Sequence, residues 1–273
     1  MDRTVVITGA SSGIGLAAAE LLARRGDHVV LVGRTAGKLA EAAKRVHAAV
    51  RIYAPDPYRE ADVRQADFED LGQVRELAAY LERTYPRIDV LASNAGGMVG
   101  DYRRTADGFE ATMQSNHLAP FLLAGLLHER IGRLVVTASR AHMRGRPDPD
   151  DLARATRKYS AWQAYSEAKA ANVLFAAEAA RRWPAITSVS FHPGVVRSDF
   201  GTGRATRLFY RFAPFLTSPE TAGEQLVWLA DNPITNGAYY VGHHPRQPSR
   251  HAADPEAAAR LWEASAEATG LPR

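Results

Sequence analysis

Residues 8–15 read TGASSGIG and come directly after a short β-branched run, RTVVIT at 3–8. Glycines therefore follow a predicted strand and open a predicted helix from Leu16 to Arg25. Glycine at a strand–helix turn lets the backbone approach a phosphate group, which the helix N-terminus attracts. The alternative is a tight turn that is glycine-rich for structural reasons alone. The residues predicted to hold a dinucleotide's pyrophosphate are Gly9, Ser11, Ser12, Gly13, Ile14 and Gly15.

The end of the second predicted strand, HVVLVG at 28–33, indicates which dinucleotide would bind. An acidic residue there would bind the ribose 2′-hydroxyl of NAD and repel a 2′-phosphate. This chain has Arg34 instead, and Lys38 lies one helical turn later. Because a guanidinium binds phosphate with two parallel hydrogen bonds, Arg34 and Lys38 predict NADP(H). The alternative is that Arg34 is an ordinary surface residue.

Strand and helix patterns continue to alternate along the chain. The further strand candidates are 62–67, 88–93, 132–138, 186–192 and 238–242. Continuous apolar runs separated by helices predict an α/β fold, a parallel sheet covered on both faces. A single domain over 1–273 is expected, with the proline-rich segment 242–253 linking to a final helix at 254–269. Asp254 is the predicted N-cap of that helix, and Gly270 ends it.

The composition argues against several classes of protein. Cysteine is absent and no His, Asp or Glu spacing suggests a metal site, so we predict none. The net charge is +4, but only four of the 34 basic residues are lysines and the arginines are scattered. We therefore predict no nucleic-acid partner. Without an apolar run of about 18 residues or a signal peptide, a cytoplasmic protein is expected.

A tyrosine and a lysine stand four residues apart in AYSEAK, residues 164–169. On a helix, Tyr165 and Lys169 share a face, and a nearby ammonium stabilises a phenolate. Lowering a tyrosine pKa from about 10 to near 7 requires about 4 kcal/mol, which a close cation in a poorly hydrated cleft can supply. The alternative is a solvated helix face. Ser139 at a predicted strand end and Asn116 in the preceding helix favour the functional interpretation.

Together these motifs resemble the short-chain dehydrogenase/reductase family over nearly the whole chain. The motifs, in the family's order, are TGASSGIG at 8–15, SNAGG at 93–97, Asn116 in QSNHLAPFLL, Ser139 in LVVTASRAH, YSEAK at 165–169 and HPGVVRSD at 192–199. Within the family, SNHLAPFLL, SRAH, HPGVVRSD and RLWEASAEATG are most similar to the retinol-dehydrogenase-like branch. The resemblance implies a Rossmann-type, doubly wound sheet of seven parallel strands in the order 3-2-1-4-5-6-7.

The resemblance also implies roles for individual residues. Tyr165 would exchange a proton with the substrate oxygen, which Ser139 would hold. Lys169 would tune Tyr165 and bind the nicotinamide ribose, and Asn116 would position a water as part of a proton relay. The further cofactor-binding residues that it implies are Asp67, Phe68, Asn94, Ala95, Gly96, Pro193, Gly194, Val195 and Ser198.

Three segments lie outside these motifs, and three histidines have no role assigned in them. An insertion at 50–60 makes the third strand harder to place, and residues 144–159 lengthen the connection between Ser139 and Tyr165. The segment 204–216, RATRLFYRFAPFL, corresponds to the family's mobile substrate lid, assigned to 204–217; the alternatives are a core helix and a membrane-surface patch. The histidines near the motifs, which we interpret as structural, are His117, His142 and His192.

These features predict an NADP(H)-dependent oxidoreductase that acts on an apolar carbonyl or alcohol, with reduction favoured in an NADPH-rich cytoplasm. Family members often dimerise, so a homodimer is one expectation. Two alternatives remain open at this stage. One is a cofactor-binding sensor or scaffold without turnover. The other keeps the fold for non-redox chemistry, such as isomerisation or cyclisation.

Overall fold

The computed structural model of the chain describes residues 3–53, 60–196 and 216–272. Ser198, most of the predicted lid and most of the 50–60 insertion lie outside these ranges. The strands are β1 (Thr4–Thr8), β2 (His28–Gly33), β3 (Asp62–Gln65), β4 (Ile88–Ser93), β5 (Ile131–Thr137), β6 (Thr187–His192), β7 (Tyr239–Val241) and β8 (His244–Arg246). The α-helices are α1 (Gly13–Arg24), α2 (Ala36–Tyr53), α3 (Leu71–Thr84), α4 (Ala111–Met113), α5 (Ala119–Leu127), α6 (Ala161–Arg182), α7 (Pro219–Asp231) and α8 (Pro255–Thr269).

The strands form one sheet in the order β3-β2-β1-β4-β5-β6-β7-β8. The first seven pair in parallel, which confirms the predicted doubly wound Rossmann order. The eighth strand, β8, pairs antiparallel with β7 and was not predicted. Its sequence, HPR, has no apolar alternation and all three residues are exposed, so nothing in its pattern marks a strand.

The strand β8 lies within the segment predicted to be a linker. A two-residue turn at Gly242 and His243 reverses the chain, because Val241 pairs with His244. Gly242 has a φ of +61°, the left-handed conformation that two-residue hairpin turns require. Pro245 is tolerated because β8 is the edge of the sheet. The segment predicted to link to the final helix, 242–253, therefore contains a hairpin turn and an edge strand.

Helices cover both faces of the sheet, which explains why its strands read as continuous apolar runs. On β1, Val5 and Ile7 pack among residues of α1, α2 and α7. Val6 points to the opposite layer, among residues of α3, α5, α6 and α8. All five residues of β1 are buried, as expected for a parallel strand between two helical layers.

The order of the strands reverses at β1, whose neighbours are β2 on one side and β4 on the other. In open α/β sheets a crevice forms at this point, beyond the carboxyl ends of the strands. The turn after β1, Asn94 after β4, Ser139 after β5 and Pro193 after β6 all lie at this edge. The topology thus gathers motifs that are far apart in sequence.

Candidate active site

The turn between β1 and α1 leads into the N-terminus of α1, where the first backbone amides have no partner within the helix. Ser12 is the N-cap of α1, and its side chain makes no capping hydrogen bond. A Cβ at Gly9 would lie 2.9 Å from the Cα of Ala95, so this turn packs too closely for a side chain. A Cβ at Gly13, which has a φ of +55°, would meet nothing within 4 Å. Free N–H groups at a helix N-terminus with open space in front fit a pyrophosphate.

Asn94 joins three strands of the sheet. Its backbone N–H donates to Thr8 Oγ1 (3.0 Å), and its side-chain Nδ2 donates to the Thr8 carbonyl (3.1 Å). Thr137 Oγ1 donates to Asn94 Oδ1 (3.2 Å), and the Ala95 N–H also donates to Thr8 Oγ1 (2.9 Å). Asn94 therefore ties the ends of β1, β4 and β5 together beside the glycine turn. The part played by the two threonines was not predicted, since a threonine at a strand end is common.

Two cations lie beyond the end of β2. Arg34 has a side chain that is 71% exposed, and Lys38 is exposed on the first turns of α2. The Arg34 carbonyl accepts a hydrogen bond from Gln65 Nε2 (3.0 Å), which fixes the end of β3 beside it. Asp67 follows β3, and its carboxylate accepts from the Glu69 N–H (3.0 Å). Phe68 is buried in the core, so its backbone rather than its ring faces the crevice edge.

Tyr165 and Lys169 lie side by side on α6 and are both buried. The Lys169 Nζ is 5.5 Å from the centre of the Tyr165 ring. Only 3% of Lys169 is exposed, which excludes the alternative of a solvated helix face. Its Nζ donates to the Thr137 carbonyl (3.2 Å), and burial lowers the pKa of Lys169 from 10.5 to about 8. At neutral pH this lysine is still mostly a cation next to a tyrosine.

Ser139 follows β5 and begins a short 3₁₀ helix, Arg140–Arg144. Its Oγ accepts a hydrogen bond from the Ala141 N–H (3.2 Å). The hydroxyl hydrogen is therefore left to donate elsewhere. Gly145, at the end of this helix, packs against the Ser166 carbonyl on α6 more closely than any side chain would permit. That contact brings the segment of Ser139 against the turn of α6 that carries Tyr165.

Asn116 lies in a π-helical turn, Gln114–Leu118, between α4 and α5. Its Nδ2 donates to the carbonyls of Gly97 and Thr112 (both 2.9 Å). Its Oδ1 is buried and has no hydrogen-bond partner among the described residues. A Cβ at Gly96 would lie 3.3 Å from Lys169 Nζ and would also collide with Asn116 Oδ1, so both groups flank this glycine. Single π-turns within α-helices are frequent at functional sites.

The three histidines near the motifs each form a hydrogen bond with a residue of another segment. His142 Nδ1 donates to the Ser139 carbonyl (2.6 Å), and its Nε2 accepts from the Ser249 N–H (3.2 Å). His117 Nε2 bonds Ser265 Oγ on α8 (2.9 Å), and His192 Nδ1 accepts from the Arg140 N–H (3.3 Å). Burial lowers the pKa of all three, to about 4 for His117 and His192.

Exposed apolar side chains lie on the same segments as these polar residues; of the three, only Val195 was among the predicted site residues. Met143 (58% exposed) follows Ser139, Trp162 (49%) precedes Tyr165, and Val195 (47%) follows β6. The rings of Trp162 and Tyr165 are 6.1 Å apart. Large exposed apolar groups beside a polar site are typical of a surface that binds an apolar molecule. No helix in the described ranges has the length and apolar character needed to cross a membrane.

The strand order and the helices on both faces of the sheet define an α/β protein of Rossmann architecture. The chain belongs to the short-chain dehydrogenase family: the family's model, described as short chain dehydrogenase, matches residues 3–207.

Two curated relatives and one solved structure illustrate its position in the family. A proposed daunorubicin C-13 ketoreductase, DnrU, of Streptomyces sp. (strain C5) is 51% identical, with 98% of this chain and 93% of the relative covered. Human retinol dehydrogenase 13 is 36% identical, with coverage of 98% and 85%. The crystal structure of an uncharacterised protein from Mycobacterium paratuberculosis has a TM-score of 0.78 at 34% identity, with coverage of 98% and 94%. The resemblance to the retinol-dehydrogenase-like branch is confirmed.

Proposed function

We propose that this protein is an NADP(H)-dependent reductase of apolar ketones or aldehydes. The observation that carries the proposal is the buried pair of Tyr165 and Lys169, 5.5 Å apart from ring centre to Nζ. The similarity to a proposed ketoreductase supports the direction of the reaction. The exposed apolar side chains of Met143 and Trp162 support an apolar substrate.

The residues of the turn between β1 and α1 and those at the end of β2 would hold the cofactor. The N-terminus of α1, which has no side-chain cap and has open space beside Gly13, suits the pyrophosphate. Arg34, whose carbonyl accepts from Gln65 at the end of β3, and Lys38 are both exposed and suit a 2′-phosphate, which supports NADP(H) rather than NAD(H). Asp67 and the Phe68 backbone would lie at the adenine end. Gly96 and the segment from Pro193 to Val195 would lie at the nicotinamide end.

Ser139 and Tyr165 would both act on the oxygen of the substrate carbonyl. A bound NADPH would supply a hydride to the carbonyl carbon. Ser139 Oγ donates a hydrogen bond to the carbonyl oxygen and holds it in place. The Tyr165 hydroxyl then gives its proton to that oxygen, so that the substrate leaves as an alcohol.

The remaining two residues act on Tyr165. The Lys169 ammonium favours the phenolate left on Tyr165 after its proton has gone. The Asn116 side chain lies beside Lys169, and its unpaired Oδ1 is suited to a water that returns a proton from solvent.

A non-redox or regulatory role on the same fold is the second candidate. A sensor would bind the cofactor without consuming it, and an isomerase would turn over substrate without net oxidation of NADPH. The intact set of Asn116, Ser139, Tyr165 and Lys169 argues against a sensor, because binding alone does not require an acid/base group.

The first experiment is a fluorescence titration of the purified protein with NADPH and NADH. Absorbance at 340 nm is then followed with a panel of apolar aldehydes and ketones. The panel includes daunorubicin, which one relative's name contains, and retinal, the aldehyde that corresponds to the retinol in the other relative's name. We expect tight NADPH binding and one alcohol formed per NADPH oxidised. Tight binding with product formation but no loss of absorbance would instead support a non-redox function.

A further inference from the structure

A carboxylate lies between two arginines at the end of the crevice where we place the 2′-phosphate. Glu69 Oε1 is 3.9 Å from Arg34 Nη1, at the limit of an ion pair. Its other oxygen, Oε2, accepts a much closer hydrogen bond from Arg103 Nη1. Arg103 comes from the connection between β4 and α4, so the three charges belong to three separate segments. Nothing in the proposed function uses Glu69 or Arg103.

Glu69 is held in place and cannot easily leave this position. Only 15% of its side chain is exposed, whereas the side chains of Arg34 and Arg103 are 71% and 52% exposed. Its backbone N–H donates to Asp67 Oδ1, which fixes the turn after β3. The Arg103 carbonyl accepts from the Ala111 N–H (3.0 Å), which anchors that residue's backbone as well. The carboxylate is thus fixed, and the Arg34 side chain is the movable partner.

We infer that Glu69 sets the preference between NADPH and NADH, and that Arg103 limits its effect. This inference rests on the proposed function, in which Arg34 binds the 2′-phosphate. The fixed carboxylate competes with that phosphate for Arg34 and repels its negative charge. Arg103 holds the carboxylate and offsets its charge, which leaves Arg34 available. A 2′-hydroxyl carries no charge, so NADH does not experience this repulsion.

The size of the effect follows from the exposure of the site. The interaction between two unit charges about 4 Å apart in a largely aqueous environment changes a binding affinity about fivefold. Removing the carboxylate should therefore strengthen NADPH binding about fivefold and change NADH binding less than about twofold. Because exposed charges are screened, the NADPH effect should shrink as salt is raised.

The test is a set of fluorescence titrations with NADPH and NADH on five proteins. These are the wild type, Glu69→Gln, Arg103→Ala and the double variant, with Glu76→Gln as a control that removes one exposed carboxylate from α3. We expect Glu69→Gln to bind NADPH about fivefold more tightly and Arg103→Ala to bind it more weakly. The control should match the wild type within about twofold for both cofactors.

The double variant separates the two ways in which Arg103 could act. If Arg103 acts through Glu69, the Arg103→Ala change has little effect once Glu69 is glutamine. Equal weakening in both backgrounds would mean that Arg103 contacts the phosphate directly, and would overturn the inference. Unchanged NADPH binding in Glu69→Gln would overturn it too. A wild type that binds neither cofactor would instead refute the proposed function.

Discussion

The hydroxyl of Tyr165 is the proposed proton donor to the substrate. Replacing Tyr165 with phenylalanine keeps the ring that packs beside Trp162 and removes only the acid. We expect the variant to bind NADPH within about threefold of the wild type and to lose at least about 10²-fold in turnover, the usual contribution of a general acid. Binding is measured by fluorescence and turnover at 340 nm.

Tyr80→Phe is the matched control for this change. It removes one phenol hydroxyl from α3, where Tyr80 bonds Asp62, and should leave turnover within about threefold. Turnover retained in Tyr165→Phe would contradict the acid/base assignment.

Arg34 is the residue on which the choice of cofactor depends. We expect Arg34→Ala to weaken NADPH binding about tenfold or more, because two charge-assisted hydrogen bonds to phosphate are lost. NADH binding should change less than about twofold. Arg45→Ala is the control, since it removes an exposed arginine of α2 that pairs with Glu20. Equal weakening of both cofactors would make the NADP(H) assignment wrong.

At the scale of elements, the close contact between α1 and α7 can be probed by a single substitution. A Cβ at Gly223 on α7 would lie 2.9 Å from both the Cβ of Ala17 and the N of Ala18 on α1. Gly223→Ala must therefore push the helices apart, and we expect it to lower the free energy of unfolding by about 1–3 kcal/mol.

The matched control for this packing is Gly37→Ala on α2, where a Cβ meets nothing within 4 Å. The lost backbone freedom of the unfolded chain should make that variant as stable as the wild type or slightly more so. Urea unfolding of the two variants provides the comparison. Equal stability of both would contradict the packing argument.

The sequence predicted best the elements that are marked by a local pattern, either a continuous apolar run in a buried strand or capping residues at the ends of a helix. The seven parallel strands were found within about two residues because helices bury both of their faces. The last helix was placed by its caps, since Asp254 accepts from the Glu256 N–H and Gly270 adopts the left-handed conformation. The strand β8 and the π-turn around Asn116 were missed. An exposed edge strand and one extra residue in a helix leave no apolar pattern.

At the scale of the molecule, the motifs predicted which residues gather at the crevice but not how they are supported. The glycine turn, Asn94 and Ser139 each follow a strand, so the topology of the sheet brings them to one edge. The tie from His142 to Ser249 and the contact of Arg103 with Glu69 join segments 107 and 34 residues apart. No local pattern encodes such pairs, because each depends on the packed tertiary structure.

Two buried histidines make the stability of the whole molecule sensitive to acid. Burial lowers the pKa of His117 and His192 from 6.5 to about 4. Between pH 6.5 and 4 the unfolded chain takes up protons that the folded chain does not, so stability falls as the pH falls. Each histidine contributes up to about 3 kcal/mol of this loss. Carboxylates such as Asp231, whose pKa neighbouring arginines hold below 3.8, act only at lower pH.

We expect the free energy of unfolding to fall by at least about 2 kcal/mol when the pH is lowered from 7 to 5. Urea unfolding at the two values measures it. His117→Gln should be less stable than the wild type at pH 7, because it disturbs the contact with Ser265, yet should lose clearly less on going to pH 5. His243→Gln, at an exposed site, should keep the full acid loss. An equal pH 7-to-5 loss in the wild type and in His117→Gln would show that the acid sensitivity originates elsewhere.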